Sequence, residues 1–340
     1  MISRPQAEDG LVVTLMEPQD APGVAGLFRA VYGEGYPIRT YYEPQELIAA
    51  NRAGRIISSV AKTPEGRVVG HNALFQVGPN PKVYENGAGL VHPDFRVARL
   101  FGRMVDHNIQ HGAPLFGAET VYGEVVLNHP YTQRLDRSQG HVNMALEVDL
   151  MPAAAYSQEK SAEGRVASIM SFKTLLPRPH RVHLPAEYDP ALRWLYEALD
   201  DRRELAVADQ DLPAGTTSRI ESQVFAHAQV ARMTFWETGP DLAQALDRTE
   251  AVAAAQGVTV FQAWLNLGRP WVGAAARLLA GRGYFLGGVL PRWFGDDGLL
   301  MQRIAHAPHW DGIKMEFPRG QELLRLVRAD WRRVCGGEAA

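Results

Sequence analysis

The chain has 340 residues, of which 46% are hydrophobic and 21% charged, and its formal net charge is −3. This length favours two domains, and the composition is that of a globular protein. Because basic residues do not exceed acidic ones, nucleic acid is not expected as a partner. Residues 1–10 carry acids and no apolar run, and no stretch approaches the ~20 apolar residues of a membrane helix, so neither a leader nor a membrane span is predicted. The single cysteine, Cys335, cannot form an internal disulfide, and we expect a cytoplasmic protein.

The first half alternates strands and helices. Val, Leu and Thr residues predict a strand over 11–15, Asp20 and Pro22 begin a helix, and a second helix runs from Pro44 to about Gly54. Two strands over 56–62 and 67–77 flank a tight turn and form a hairpin. Further elements are a strand over 85–92, a helix from about 100, a strand over 115–126, a helix over 130–138 and a strand over 143–150. This order predicts an α/β fold of the α+β type, a mixed, partly antiparallel sheet flanked by helices.

One turn between a strand and a helix has a composition suited to phosphate binding. The strand ends at Val91, Pro93 follows, and the helix opens near Leu100. The first amides of a helix have no partner within it, and together with the helix dipole they form a site for a pyrophosphate. Three cations lie around the same turn: Arg96, Arg99 and Arg103.

This turn resembles the signature of the GNAT N-acyltransferase superfamily: a strand ending Val-x-Pro, then Arg or Gln followed by x-x-Gly-x-Gly or Ala, then a helix. Val91, Pro93 and Arg96 match the signature, whereas Arg99 and Phe101 stand at the family's two glycines. The order of elements over about residues 11–150 also matches. The resemblance implies that acetyl-CoA or another acyl-CoA binds as co-substrate. The implied contact residues are Leu90, Val91, Arg96, Val97, Ala98, Arg99, Leu100, Phe101 and Asn128.

The resemblance also implies a catalytic set. In the family an Asn follows the next strand, here Asn128, and a Tyr seven residues on gives a proton to the leaving thiolate. That position holds Leu135, and Tyr131 is the nearest phenol. An amine acceptor is mostly protonated at neutral pH and needs a base, for which Glu85 and Glu124 are the candidates. The alternatives are a packing role for Tyr131 and solvated surface positions for the two acids.

The second half resembles another GNAT-like domain without the phosphate turn. Residues 151–163 predict a linker, which gives domains 1–155 and 160–340. Helices are predicted over 190–199, 242–255, 271–279 and 321–334, and strands over 222–236, 258–267, 284–290 and 299–304. Glu237 and Asp241 occupy the place of the turn, and because their charges would repel a phosphate we expect no acyl-CoA there.

The leading hypothesis is an acyl-CoA-dependent N-acyltransferase of tandem GNAT type, which acts on the amine of a small molecule or peptide. The alternative is a catalytically silent GNAT-like protein that binds a metabolite or a partner protein, because the two glycines and the tyrosine are replaced. An aminoacyl transferase that uses charged tRNA is disfavoured by the charge balance. His107 and His111 are four residues apart but lack a third ligand, so no metal site is predicted. A homodimer is left open.

Overall fold

The computed structural model describes residues 10–96, 99–153, 164–199 and 201–336. Its contacts divide the chain into two compact units, Met1–Tyr122 and Gly123–Ala340. The division falls within a strand, whereas the sequence predicts domains 1–155 and 160–340, and those domain boundaries stay a prediction. Most of the predicted linker, residues 154–163, lies outside the described residues.

The first unit is built on a mixed sheet. Its elements are β1 (Val12–Leu15), α1 (Ala21–Tyr32), α2 (Pro44–Arg52), β2 (Ile56–Lys62), β3 (Val68–Gln76), β4 (Val83–Val91), α3 (Leu100–His107) and the beginning of β5 (Thr120–Val126). The strands lie in the order β1-β2-β3-β4-β5. Neighbours are antiparallel except β4 and β5, which run parallel and are joined through α3.

Helices cover both faces of this sheet. Helices α1 and α2 pack on one face, in a layer that contains Phe28 and Val68. Helix α3 packs on the other face, in a layer that contains Met104 and Val69. Val68 and Val69 are neighbours on β3, and successive side chains of a strand point to opposite faces, so the sheet separates two apolar layers.

The second unit contains a second mixed sheet. Its elements are α4 (Tyr131–Ser138), β6 (Val142–Pro152), β7 (Arg165–Thr174), β8 (His180–Leu184), α5 (Asp189–Tyr196), β9 (Arg203–Val207), β10 (Arg219–Phe225), β11 (Val230–Glu237), α6 (Leu242–Ala254), β12 (Val260–Asn266), α7 (Val272–Ala280), β13 (Phe285–Leu290), β14 (Gly298–Ile304) and α8 (Pro318–Cys335). The strand order of this sheet is β7-β6-β13-β14-β12-β11-β10, and β8 and β9 form a separate parallel pair. Strands β11 and β12 are parallel and joined through α6, so the strand–helix–parallel strand order of the first unit recurs.

The predicted fold class is confirmed: the sheets are mixed, partly antiparallel and flanked by helices. One element was predicted wrongly, because residues 222–236 form two antiparallel strands, β10 and β11, rather than one. Gln229 in the turn between them has φ 57°, a left-handed conformation that a sequence without Gly or Pro does not indicate. Strands β7, β8 and β9 are likewise not predicted by the sequence patterns.

Candidate functional site

The strand-to-helix turn of the first unit is described on both sides of residues 97 and 98. β4 ends at Val91, a short 3-10 turn covers Pro93–Phe95, and α3 begins at Leu100. Arg96 follows this 3-10 turn and is exposed. Val97 and Ala98 lie outside the described residues. The side chains of Leu90 and Leu100 are buried. We therefore expect these two leucines to act at this turn through their main chain.

Arg99 adopts the backbone conformation for which glycine is usually chosen. It precedes α3 with φ 67° and ψ −2°, in the left-handed region, at the position of the family's first glycine. A residue with a Cβ pays roughly 1–2 kcal/mol for this conformation. At this position the backbone therefore has a conformation that a glycine adopts readily, and the exposed guanidinium adds charge where glycine has none.

Phe101, at the position of the second glycine, is accommodated by a glycine on the neighbouring strand. A Cβ added to Gly89 of β4 would lie 2.1 Å from a ring carbon of Phe101. The ring thus lies directly on the backbone of β4, where it joins the apolar layer on the α3 face. Phe101 therefore fits at the turn because Gly89, beneath its ring on β4, has no side chain.

The cationic side chains around the turn differ in their exposure and hydrogen bonding. Arg96 and Arg99 are exposed, whereas Arg103 donates a hydrogen bond to the carbonyl oxygen of Leu11 at 2.9 Å. Arg67, in the β2–β3 turn, lies 3.4 Å from His92. Arg67 is 25 positions from His92 in the sequence, and no motif marks it as part of this site. The structure therefore adds one cation to the turn that the sequence did not indicate.

Strand β4 carries a bulge beside the turn. The register between β3 and β4 shifts between His71 and Ala73, and Ala88 opposite has φ 47°. His71 Nδ1 donates to the carbonyl oxygen of Ala88 at 2.9 Å, and its Nε2 accepts from the Ser58 hydroxyl at 3.0 Å. Burial lowers the pKa of His71 to about 4, so the ring is neutral and can both donate and accept. A buried histidine therefore holds the bulge in place.

Glu85 lies on β4 at the point where β5 pairs with it. The parallel register joins Val83–Glu85 to Thr120–Tyr122, and within the first unit it ends there. The Tyr122 hydroxyl donates to Glu85 Oε2 at 3.0 Å. Glu85 is half-buried. Its carboxylate is thus fixed on the β4 strand that leads into the bulge and the turn.

Glu124, the second predicted base, belongs to the second unit and to an ion-pair network. Arg232 Nη2 donates to Glu124 Oε2 at 2.6 Å and to Glu147 Oε1 at 3.0 Å. Gln262 Nε2 also donates to Glu147 Oε1, at 2.9 Å. Burial, and after it the Glu124 carboxylate, raises the pKa of Glu147 to about 8. Glu124 is therefore held by an arginine that no sequence motif indicated.

The two remaining predicted residues follow β5 in the second unit. Asn128 is buried. Tyr131 is the first residue of α4, and 77% of its surface is exposed. The predicted site residues are thus divided. Glu85 and the turn residues belong to the first unit, and Glu124, Asn128 and Tyr131 to the second.

The corresponding turn of the second unit is closed by its own chain. A Cβ on Gly239 would lie 1.8 Å from the carbonyl oxygen of Thr216, and Asp241 Oδ1 accepts from the Ser218 amide at 2.8 Å. Between the ends of β11 and β12 there is a cavity of only ≈ 10 Å³, beside Trp236 and Trp271. That volume is about enough for one water molecule.

No family model and no curated protein matches the sequence. Solved structures match about half of the chain. One is a ribosomal-protein-S5-alanine acetyltransferase from Vibrio fischeri, with 12% identity over 51% of this chain and 97% of its own, at a TM-score of 0.40. Another is an N-acetyltransferase from Staphylococcus aureus, with 12% identity over 48% of this chain and 98% of its own, at a TM-score of 0.39. A third is a putative acetyltransferase from Salmonella typhimurium with its cofactor acetyl-CoA, with 13% identity over 49% of this chain and 95% of its own, at a TM-score of 0.39.

In the part of the chain that the structure describes, no three metal-ligating side chains converge and no helix is long and apolar enough to cross a membrane. The tandem arrangement stays a prediction.

Proposed function

We propose that the chain is an acyl-CoA-dependent N-acyltransferase that transfers the acyl group to an amine. One observation carries the proposal: the β4–α3 turn keeps a left-handed residue, Arg99, immediately before the first amides of α3. In this conformation the turn presents helix N-terminal amides, which bind phosphates. Arg96 and Arg99 are exposed beside them and can add charge-assisted contacts to a pyrophosphate.

Acyl-CoA supplies an activated acyl group as its thioester when bound. The proposed role of the β4 bulge at Ala88, held by His71, is to present backbone amides to the developing oxyanion of that thioester. Beyond Glu85, β4 continues through Val91, and an extended pantetheine arm would pair along it as an added strand does.

Glu85 is the proposed base. The acceptor amine must lose a proton before its nitrogen attacks the thioester carbonyl, the C–S bond breaks, and the thiolate takes up a proton. Glu124 is ion-paired with Arg232, whereas Glu85, on the strand that holds the bulge, receives a hydrogen bond from the Tyr122 hydroxyl. Tyr131 stays the predicted donor to the thiolate, and Asn128 a predicted contact of the cofactor.

The second unit is proposed not to bind acyl-CoA. Its turn is covered by Thr216 and Ser218, and Asp241 adds a negative charge there. The small cavity between β11 and β12 has no room for a pantetheine arm. A structural or acceptor-side role for this unit is consistent with these contacts.

A catalytically silent binding protein is the second candidate. Phe101 favours it, because the ring fills space over β4 that a glycine would leave open to the cofactor. Under this alternative, no amine would be acylated even where acetyl-CoA binds. A single acylated amine in a panel of acceptors would exclude it.

Calorimetric titration of the full chain with acetyl-CoA tests the proposal. We expect micromolar binding, about tenfold weaker in Arg96→Ala because a charge-assisted phosphate contact is lost. Arg277→Ala, at an exposed position on α7, is the matched control and should bind like the wild type. No binding at millimolar acetyl-CoA would overturn the proposal.

A further inference from the structure

We propose that Glu85, Tyr36 and Tyr41 bind the acceptor as a cation, and that the acceptor is a primary ammonium carried on an apolar chain. For its role in the reaction this inference rests on the proposed function, but the cation site itself does not depend on acyl-CoA. The residues concerned all belong to the first unit.

The tyrosines belong to a continuous group of rings between α1 and α2. The rings of Phe28 and Tyr41 are stacked, with centroids 4.7 Å apart and planes 8° apart. Tyr36 meets Phe28 edge-on at 5.0 Å and Tyr41 at 5.7 Å. Tyr32 extends the group at 5.1 Å from Tyr36 and is 43% exposed. The ring cluster therefore leads from the buried Tyr41 to the surface at Tyr32.

Glu85 faces this ring cluster. In the β3–β4 register it stands opposite Phe75, which packs against the same apolar layer as Phe28 and Tyr41. Burial raises the pKa of Tyr41 and of Tyr36; a neighbouring tyrosine and then the Glu85 carboxylate raise each pKa further. A Cβ added to Gly87 would lie 3.0 Å from the Phe75 ring and 3.6 Å from Glu85 Oε1, so the carboxylate lies beside the Phe75 ring, on the side of the sheet that the ring cluster covers.

The buried hydroxyl group of Tyr41 indicates that a ligand binds beside it. The side chain is 1% exposed, and among the described residues its hydroxyl has no hydrogen-bond partner. A buried polar group without a partner is costly, and such groups are rare in native structures unless a water or ligand completes them. An ammonium group carries three N–H donors, so it can donate to the Tyr41 oxygen and to the Glu85 carboxylate at once.

The charges around the cluster favour a cation over an anion or a neutral group. Glu85 supplies the negative charge, and the faces of aromatic rings attract cations. The guanidinium groups of Arg29 and Arg39 both pair with Glu34 and lie over the Tyr42 ring at 5.5 and 4.9 Å. Their charge is thus partly neutralised by Glu34. Tyr42, which meets Phe28 edge-on at 6.2 Å, shows that a ring beside this cluster already takes cations on its face.

The apolar part of the acceptor follows from the same geometry. With the ammonium between Glu85 and Tyr41, the attached chain would run along Tyr36 towards Tyr32, where the cluster reaches solvent. These rings offer apolar contact rather than further charges. Glu85 would then both bind the ammonium and accept the proton that must leave before acyl transfer.

Calorimetric titration of the full chain with 2-phenylethylamine, in the absence of acetyl-CoA, tests the inference, and 2-phenylethanol serves as the neutral probe of the same shape. We expect the amine to bind at least tenfold more tightly than the alcohol. Glu85→Gln should abolish this preference, whereas Glu46→Gln, at an exposed position on α2, should keep it. Equal binding of amine and alcohol by the wild type, or an unchanged preference in Glu85→Gln, would overturn the inference.

Tyr41→Phe separates a binding role from a structural one. Removal of the buried hydroxyl should raise the melting temperature, because an unpartnered polar group is removed, yet weaken binding of the amine several-fold. A variant that binds the amine as tightly as the wild type would contradict the role of this hydroxyl. Amine binding without acetyl-CoA binding would retain the inference and overturn the proposed function; the reverse pattern would do the opposite.

Discussion

At the scale of single residues, the clearest consequence of burial is at Asp136 on α4. A Cβ on Gly123 would lie 2.9 Å from Asp136 Oδ1, so the carboxyl lies directly against the backbone of β5. Burial raises the pKa of Asp136 to about 7. The folded state thus holds the proton more tightly than the unfolded state, and the associated stability is complete below pH ~4 and is lost as pH rises to ~7.

Asp136→Asn should remove the loss of stability that accompanies ionisation of Asp136 as pH rises. Between pH 4 and 8 the free energy of unfolding of the variant should rise by roughly 4 kcal/mol relative to the wild type, from a pKa difference of about three units. Denaturant unfolding at a series of pH values measures the difference. His141, buried nearby, has its pKa lowered to about 4 by burial, so its own titration lies at the lower end of this pH range.

Asp211→Asn, at an exposed position, is the control and should leave the pH profile unchanged. A constant difference between Asp136→Asn and the wild type across this range would show that Asp136 is ionised in the fold and would refute the prediction.

At the scale of elements, the contact between β4 and α3 decides how the turn is built. Gly89 and Phe101 are complementary, since the ring occupies the place of the missing Cβ. We expect Gly89→Ala to lower the free energy of unfolding by about 1–3 kcal/mol, because the added methyl group overpacks this contact. Thermal and denaturant unfolding measure the change.

A double-mutant cycle identifies the contact. In a Phe101→Ala background the same Gly89→Ala change should cost far less, so the two substitutions should be strongly non-additive. Gly26→Ala on α1, where nothing lies within 4 Å of the new Cβ, should instead stabilise the chain by about 0.5–1 kcal/mol. Additive effects of Gly89→Ala and Phe101→Ala would contradict this account of the turn.

At the scale of the whole molecule, both units contain strand–helix–parallel strand motifs: β4–α3–β5 in the first, and β11–α6–β12 and β8–α5–β9 in the second. In the first unit, Arg96 and Arg99 are exposed at the turn after β4. In the second unit, Thr216 and Ser218 occupy the corresponding place. We therefore expect one acetyl-CoA per chain, measured as the stoichiometry of the calorimetric titration. A stoichiometry near two would show that the second turn opens, and would contradict the closed geometry.

The sequence by itself determined most elements and the position of the turn. The Pro and Gly residues of the β2–β3 turn, the spacing of apolar residues in α1 and the Val-x-Pro pattern at Val91 are local, and each is decided within a few residues. The β10–β11 turn lacks such residues, and the left-handed Gln229 that makes it leaves no mark in the sequence pattern.

Only the tertiary structure decided which side chains meet. Arg232 is 108 positions from Glu124, and Tyr122 is 37 positions from Glu85, yet each pair is hydrogen-bonded. In the sequence, nothing distinguishes Gly89 from other strand residues. Its contact with the Phe101 ring is seen only in the tertiary structure. The reason is physical: periodicity and turn composition report the local conformation of the backbone, whereas ion pairs, buried hydroxyl groups and close ring contacts depend on which strands become neighbours.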